Sequence, residues 1–149
     1  MPRKKRRLTK MPEGVEHMHI VIICGGRDLC LTPAHYQWLN ALHGEYGLIE
    51  VIVGSDNRYA SGALRGVDAQ ALAWAKRQRI DTTVMEANWE RHGRSAGPVR
   101  NGRMLTYLCL IEATFQYQSA VIAFPGGSGT AHMIACARKA NVVVFQFPG

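Results

Sequence analysis

Short apolar runs alternate with segments of mixed polarity along this chain. Three of the runs, His19–Cys24, Leu48–Val53 and Ser119–Phe124, are rich in β-branched residues, and each is followed by Gly or by Pro-Gly. Continuous apolar runs of this length that end at glycine are typical of strands buried on both faces. Two shorter runs, Thr82–Met85 and Val142–Phe147, bring the predicted number of strands to five.

The segments between the strands have the spacing of helices. Thr32 as N-cap and Pro33 as first helical residue predict a helix that ends at Gly44 or Gly47. Further helices are predicted from about Gly66, over residues 99–116, and over residues 129–140 with Asn141 as a left-handed cap.

The helix predicted at 99–116 carries a row of apolar residues that we expect in the core: Met104, Leu105, Leu108, Ile111 and Phe115. The stretch before it, residues 86–98, is predicted to be a loop. A loop of this length inside a compact domain usually serves a function.

The order β-α-β-α-β-α-β-α-β predicts a single Rossmann-like, doubly wound parallel sheet of five strands with helices on both faces. In that architecture every strand-to-helix loop opens at the carboxyl edge of the sheet, and ligands bind there at the switch point in strand order. Three of these loops carry glycines, at Gly25-Gly26, at Gly54 and at Gly126-Gly127. The sequence therefore predicts a ligand site between these loops.

The net charge of +7 comes almost entirely from one end of the 149-residue chain. Six of the eighteen basic residues are Arg3, Lys4, Lys5, Arg6, Arg7 and Lys10, which leaves twelve against eleven acidic residues elsewhere. We therefore divide the chain into a basic, flexible arm (1–17) and a nearly neutral domain (18–149). The arm is either a solvated tail, a nuclear import signal, or a weak, salt-dependent contact to nucleic acid through residues 3–10.

Other classes of protein are disfavoured by what the sequence lacks. No apolar region follows the basic run as in a signal peptide, and no apolar run is long enough for a membrane span. The four cysteines form no CxxC pair, which indicates a reducing compartment without disulfides or a zinc site. Cys24, Cys109 and Cys136 are predicted to be buried thiols. We expect a cytoplasmic protein that needs no metal and no cofactor.

The clearest chemical signal is the loop Phe124-Pro-Gly-Gly-Ser-Gly-Thr130 between a strand and a helix. Glycines let the backbone approach a ligand, and free N–H groups at the following helix start favour an anion. The loop residues Pro125, Gly126, Gly127, Ser128, Gly129 and Thr130 are therefore candidate phosphate ligands. A tight turn that only joins strand to helix is the alternative. The loop is not a P-loop, because no Gly-Lys-Ser/Thr follows.

This loop resembles the PGGxGT motif of the SLOG superfamily, which includes the Lonely-guy phosphoribohydrolases and DprA-like proteins. The rest of the chain is more similar to the YspA/YpsA-related SLOG branch, often encoded by bacteria and their phages. The matching pieces, in order from about residue 20 to 147, are Gly25-Gly26-Arg27-Asp28, Gly62-Ala63-Leu64-Arg65-Gly66-Val67-Asp68, Trp74-Ala75, Trp89 with His92-Gly93, Ala96-Gly97-Pro98-Val99-Arg100-Asn101 with Met104, and Ala123 to Ala131.

The resemblance implies roles for residues on the third predicted helix. Arg100 with Met104 matches an Arg pattern that supplies a ligand contact in the phosphoribohydrolases, and a guanidinium suits a phosphate. Asn101 is either a ligand contact or a helix cap. The phosphoribohydrolases have a catalytic Glu where this chain has Met133, and a thioether cannot transfer protons. Catalysis would then need Asp28, Asp68, Glu112 or His132.

Five further residues are candidate ligand contacts with open alternatives. Arg27 can meet a phosphate, and Asp28 can hold ribose hydroxyls or cap the next loop. Asp68 is either a ligand contact or an acid that favours its helix dipole. Trp89 can stack on a base or anchor its loop, and His92 lies on the same loop.

Three functions remain open at this stage. A nucleotide sensor or sequestering protein comes first, since superfamily relatives in bacterial defence recognise ADP-ribose-type nucleotides and the catalytic Glu is absent here. The alternatives are a nucleoside-monophosphate phosphoribohydrolase, which is an N-glycosidase, and DprA-like binding of single-stranded DNA. The resemblance also implies a homo-oligomer that associates through helices beside the site.

Overall fold

The computed structural model describes residues 16–55 and 66–148. Within them a five-stranded sheet has the order β3-β2-β1-β4-β5, and all four strand pairs are parallel. The sheet confirms the predicted Rossmann-like α/β fold. Most of the predicted arm (1–15) and the motif residues Gly62 to Arg65 lie outside the described part of the chain.

The elements follow one another in the predicted alternation, with one addition before the fourth helix. In chain order they are β1 (Ile20–Cys24), α1 (Pro33–Tyr46), β2 (Glu50–Ser55), α2 (Gly66–Arg77), β3 (Asp81–Glu86), α3 (Trp89–His92), a 3-10 turn (Gly93–Ser95), α4 (Ala96–Phe115), β4 (Ser119–Ala123), α5 (Ser128–Lys139) and β5 (Val143–Gln146).

Helices cover both faces of the sheet, and each face has its own core. On one face α1 and α2 bury large side chains such as Trp38 and Trp74 against the central strands. On the other face α4 and α5 bury Met104, Leu108 and Met133. Burial on both sides explains why β1 and β4 read as continuous apolar runs.

The strand order places the switch point between β1 and β4. Ile20 pairs with Glu50 of β2 on one side and with Ser119 of β4 on the other. The loops after β1 and β4 therefore leave neighbouring strands at the same edge, and their helices go to opposite faces. In open parallel sheets a crevice forms at this point.

The signals that begin and end helices were interpreted correctly at several places. The Thr32 hydroxyl accepts from the His35 amide with Pro33 as first helical residue, and Gly47 ends α1 in the left-handed region. Asn141 is also left-handed, with φ of 60°. None of the helices in the described ranges is long and apolar enough to cross a membrane.

The prediction of a loop over 86–98 is wrong. The segment contains α3, whose N-cap Asn88 accepts from the Arg91 amide, and then the 3-10 turn. The fourth helix begins at Ala96, not at Val99. The sequence interpretation started the helix after Pro98, but proline is tolerated in a first turn because its missing N–H has no intrahelical partner there.

Two side chains expected in the interior are at the surface. Phe115 is 57% exposed, and Cys109 is also exposed, whereas Met104, Leu105 and Leu108 of the same helix are buried. Phe115 is the last residue of α4, so it has passed the end of the sheet that would cover it. Helical spacing predicts the side of a helix on which a residue lies, but not how far the sheet extends beneath it.

Candidate functional site

A cavity of about 850 Å³ opens at the carboxyl edge of the sheet, at the switch point. It brings together most of the residues that the sequence singled out. Those that line it are Gly25, Gly26, Arg27, Asp28, Gly54, Asp68, Trp89, Arg100, Asn101, Gly127, Ser128, Gly129, Thr130 and His132.

Three of the candidate ligand contacts lie elsewhere. Pro125 and Gly126 border a smaller neighbouring cavity of about 340 Å³, on the side of the loop that faces Phe147. His92 is half-buried at the end of α3 and does not line the large cavity. Arg94, two residues further on, does line it.

The glycine loops after β1 and β4 are joined to each other. The Gly26 amide donates to the Pro125 carbonyl at 2.9 Å. A Cβ atom on Gly25 would lie 2.6 Å from a methyl group of Val67, and one on Gly126 would lie 2.8 Å from the Gly26 nitrogen. Gly126 is therefore needed for the close packing of the two loops, and Gly25 for the packing of α2 against the first of them.

Gly66 fixes the start of α2 against the first of these loops. It has a φ of +64°, and a Cβ atom there would collide with the backbone carbonyls of Gly26 and Arg27. The next amide, of Val67, donates to the Gly26 carbonyl at 3.1 Å. Asp68, one residue further on, is thereby placed at the cavity. The motif contains Gly66, but only the folded chain reveals this role.

The first turn of α5 opens into the cavity. Gly127 is its N-cap, no side chain caps the helix, and the first helical bond is from the Ala131 amide to the Gly127 carbonyl. By helix geometry the amides of Ser128, Gly129 and Thr130 have no partner within the helix. A Cβ atom on Gly127 or Gly129 would meet nothing within 4 Å. These two glycines thus border open space, in contrast to Gly25 and Gly126.

Arg100 lies across the end of β2. A Cβ atom on Gly54 would come within 2.8 Å of its guanidinium, so a side chain there would have to displace the guanidinium. Its Nη1 donates to the Ser55 carbonyl at 2.9 Å, and its Nε donates to Oδ1 of Asn101 at 3.3 Å. These bonds orient a positive charge beside the glycine loops.

Asn101 is not a helix cap, because it lies well inside α4 and is buried. Its Oδ1 accepts from Arg100, so the amide nitrogen faces the other way and donates to the Gly129 carbonyl at 3.3 Å. The same nitrogen is 3.1 Å from Nδ1 of His132. Nε2 of His132 lies 3.4 Å from the Cys136 sulfur. Asn101 therefore links α4 to the first turn of α5.

The buried side chains of Cys24, Met104 and Met133 form an apolar part of the lining, the floor of the cavity. Cys24 lies there, and burial raises the pKa of its thiol to about 12, with the Asp68 carboxylate raising it further and the Arg100 guanidinium opposing. Both charged groups therefore lie near this thiol, Asp68 at the start of α2 and Arg100 in α4. A negative and a positive group thus line the cavity from α2 and α4.

Several lining residues were absent from the sequence-based site. Arg94 is one of them. Its position between Gly93 and Gly97, in the segment predicted to be a functional loop, is the signal that could have indicated it. Leu29, Gly97, Pro98 and Met104 line the cavity as well. Such apolar contacts have no chemical signature in sequence.

Of the four residues considered for catalysis, three line the cavity and one does not. Asp28, Asp68 and His132 line the cavity together with Met133, whose side chain is buried. Glu112 does not, because its carboxylate accepts a hydrogen bond from the Ser119 hydroxyl at the opposite, amino edge of the sheet. Glu112 is therefore removed from the site.

The fold and the cavity define the class: a doubly wound α/β protein with a cavity between glycine loops at the switch point. The chain matches the YspA, cpYpsA-related SLOG family over residues 19–92. It is 33% identical to the Gene 61 protein of Mycobacterium phage D29 over 109 residues, which are 68% of this chain and 73% of that protein. No solved structure matches it significantly. The protein belongs to the YspA, cpYpsA-related SLOG family, which confirms the resemblance and points broadly to a nucleotide-related ligand.

Proposed function

We propose that the protein binds a phosphate-bearing nucleotide, or an ADP-ribose-like derivative, as a sensor or sequestering protein without turnover. The observation that carries this proposal is the uncapped first turn of α5, which opens into the same cavity as Arg100. Free amides at a helix start and a guanidinium are both donors that favour a phosphate.

The lining suggests an orientation for the ligand. A phosphate would take the amides of residues 128–130, with Arg100 and Arg94 as cationic partners. Asp28 and Asp68 would accept hydrogen bonds from ribose hydroxyls, and Trp89 would stack on the base. The cavity of about 850 Å³ lies in the range of about 300–1,000 Å³ usual for small-molecule sites.

Binding without turnover is supported by Met133. This residue stands at the cavity where the phosphoribohydrolases have their catalytic Glu, and a thioether neither donates nor accepts a proton. One observation favours the N-glycosidase as a second candidate. Asp28, Asp68 and His132 do reach the cavity and could replace the missing carboxylate.

Calorimetric titration with AMP and ADP-ribose tests the proposal. Arg100→Ala should weaken binding by about 1.5–3 kcal/mol, the range for a charge-assisted hydrogen bond. Arg103→Ala is the matched control, because Arg103 is exposed on the same helix and does not line the cavity. It removes an equal charge and should change the affinity little.

A thermal melt must accompany the titration, since Arg100 also holds the Ser55 carbonyl. Losing that bond should cost about 1 kcal/mol of folding free energy while leaving the protein folded. Equal affinities for the wild type and Arg100→Ala, with both folded, would remove the cavity from the proposed function.

A further inference from the structure

The loop that follows β1, residues 25–32, contributes Arg27, Asp28 and Leu29 to the lining of the cavity. Apart from a turn at Arg27 and Asp28, this loop has no regular secondary structure. The backbone groups of such a segment find no partners in a helix or a sheet ladder, so they need partners elsewhere in the fold. Those partners decide where the three side chains lie in the cavity.

Gln70 of α2 provides one anchor for this loop. Its Nε2 donates to the Leu29 carbonyl at 2.7 Å and to the Gly66 carbonyl at 2.9 Å. Its Oε1 accepts from the Leu31 amide at 2.7 Å. The carbonyls can only accept and the backbone amide can only donate, so all three bonds require the same orientation of the side-chain amide. Gln70 thus pairs with residues 29–31 as a neighbouring strand would.

A second anchor lies on the other side of the turn. The Val67 amide donates to the Gly26 carbonyl at 3.1 Å. Arg27 and Asp28 therefore lie between two contacts that both come from the start of α2. Asp68 of the same helix start also lines the cavity. One loop and one helix start thus form a single wall.

The phosphate donors of the cavity are held by other bonds. Arg100 donates to the Ser55 carbonyl, and Asn101 donates to the Gly129 carbonyl. Neither bond involves Gln70 or the loop after β1. In addition, α4 and α5 pack on the opposite face of the sheet from α2. A change at Gln70 therefore leaves both bonds in place.

We infer that Gln70 is a positioning residue, which holds Asp28 where it accepts hydrogen bonds from the ribose of the ligand. The inference rests on the proposed nucleotide function and divides the site into two parts. Gln70 keeps the loop ordered before a ligand arrives, so binding does not have to order it. The phosphate of the ligand depends on α5 and Arg100 instead.

Calorimetric titration with AMP tests the role of Gln70. Gln70→Met keeps nearly the same length and removes all three hydrogen bonds. The affinity should fall by about tenfold, because binding must then order the loop. Gln78→Met is the matched control, since Gln78 is exposed just beyond the end of α2 and does not line the cavity. It should change the affinity by less than about twofold.

Inorganic phosphate separates positioning from a general loss of structure. Its binding can be followed by the NMR shifts of the amides of residues 128–130. The wild type and Gln70→Met should bind phosphate equally, because this ion contacts only the donors on the other face of the sheet. A variant that merely loosened the fold would lose affinity for phosphate and for AMP alike.

A double-mutant cycle identifies the residue through which Gln70 acts. Asp28→Ala should weaken AMP binding by about tenfold, the loss of a hydrogen bond to a charged group. Adding Gln70→Met should then cost little more, because the positioned group is already absent. In combination with Arg100→Ala, the two fold-losses should multiply.

Hydrogen exchange tests the anchor without any ligand. The Leu31 amide should exchange at least about tenfold faster in Gln70→Met, because its acceptor is gone. A thermal melt must show that this variant folds. Gln70→Ala, which favours a helix, is the second variant and carries the same expectations.

Four results would overturn the inference. They are equal AMP affinities of the wild type and the folded Gln70 variants, an equal loss of AMP and phosphate binding, multiplied losses for Gln70→Met with Asp28→Ala, and an unchanged exchange rate of the Leu31 amide. Failure of the wild type to bind AMP or ADP-ribose is a different result. It would overturn the proposed function itself, and the ligand role of Gln70 with it.

Discussion

At the scale of single residues, burial sets the reactivity of the cysteines. Cys24 lies on the cavity floor, and burial raises the pKa of its thiol to about 12. Cys30 and Cys109 are exposed. The thiolate is the reactive form, so the least reactive cysteine is the one nearest the ligand space. Cys24 therefore serves as packing and not as a nucleophile.

Alkylation with iodoacetamide at a pH of about 8 should modify Cys30 and Cys109 well before Cys24. The raised pKa keeps the Cys24 thiol protonated at that pH, and its burial slows access of the reagent. Peptide mass spectrometry over time gives the order. In guanidinium chloride Cys24 should react as fast as the others. Early modification of Cys24 in the folded protein would show that the floor opens to solvent.

At the scale of elements, the approach of α2 to the loop after β1 defines one wall of the cavity. Gly66 allows this approach through its positive φ and its missing side chain. The carbonyl of Gly26 then accepts from Val67, and Asp68 reaches the ligand space. A single backbone position thus couples the start of a helix to the geometry of the site.

Gly66→Ala should lower the free energy of unfolding by about 2 kcal/mol or more, because it adds left-handed strain and a backbone collision. The melting temperature should fall by about 6 °C, and nucleotide affinity should fall with it. Gly44→Ala provides the control, since a Cβ atom there meets nothing within 4 Å in α1. It should raise stability by about 0.5–1 kcal/mol. Similar melting temperatures for both variants would contradict the role of Gly66.

The elements also show how far sequence reasoning reaches. Strands and the glycine loops were predictable, because burial on both faces and close backbone approach leave patterns within one segment. The joint between Gly66 and Gly26, the bond from Arg100 to Ser55, and the exposure of Phe115 were not. Each depends on where a distant segment lies, and spacing along one helix or loop contains no such information.

At the scale of the whole molecule, the two edges of the sheet offer different chemistry. The carboxyl edge has a cavity that Arg94 and Arg100 line, whereas at the amino edge the Glu112 carboxylate accepts a hydrogen bond from the Ser119 hydroxyl. Turnover of the proposed nucleotide ligand would require a working acid or base in this cavity.

Incubation with AMP should release no free adenine, as followed by liquid chromatography, because Met133 cannot act as general acid or base. Met133→Glu should create or raise release, since positioned acid/base groups contribute about 10²–10⁴-fold. Met133 is buried, so a melt must show that this variant still folds. Brisk release by the wild type that disappears in Asp68→Asn would make the N-glycosidase the better function.

The position of β1 between β2 and β4 has a consequence for synthesis on the ribosome. One partner of β1 follows within a few dozen residues, but Ile20 pairs with Ser119 and Cys24 with Ala123, which emerge much later. Until then the nascent chain exposes an unpaired strand edge, and long-range parallel pairing is slow. A transcript cut before β4 would encode all of residues 19–92, yet its product would lack one wall of the cavity and would be prone to aggregate.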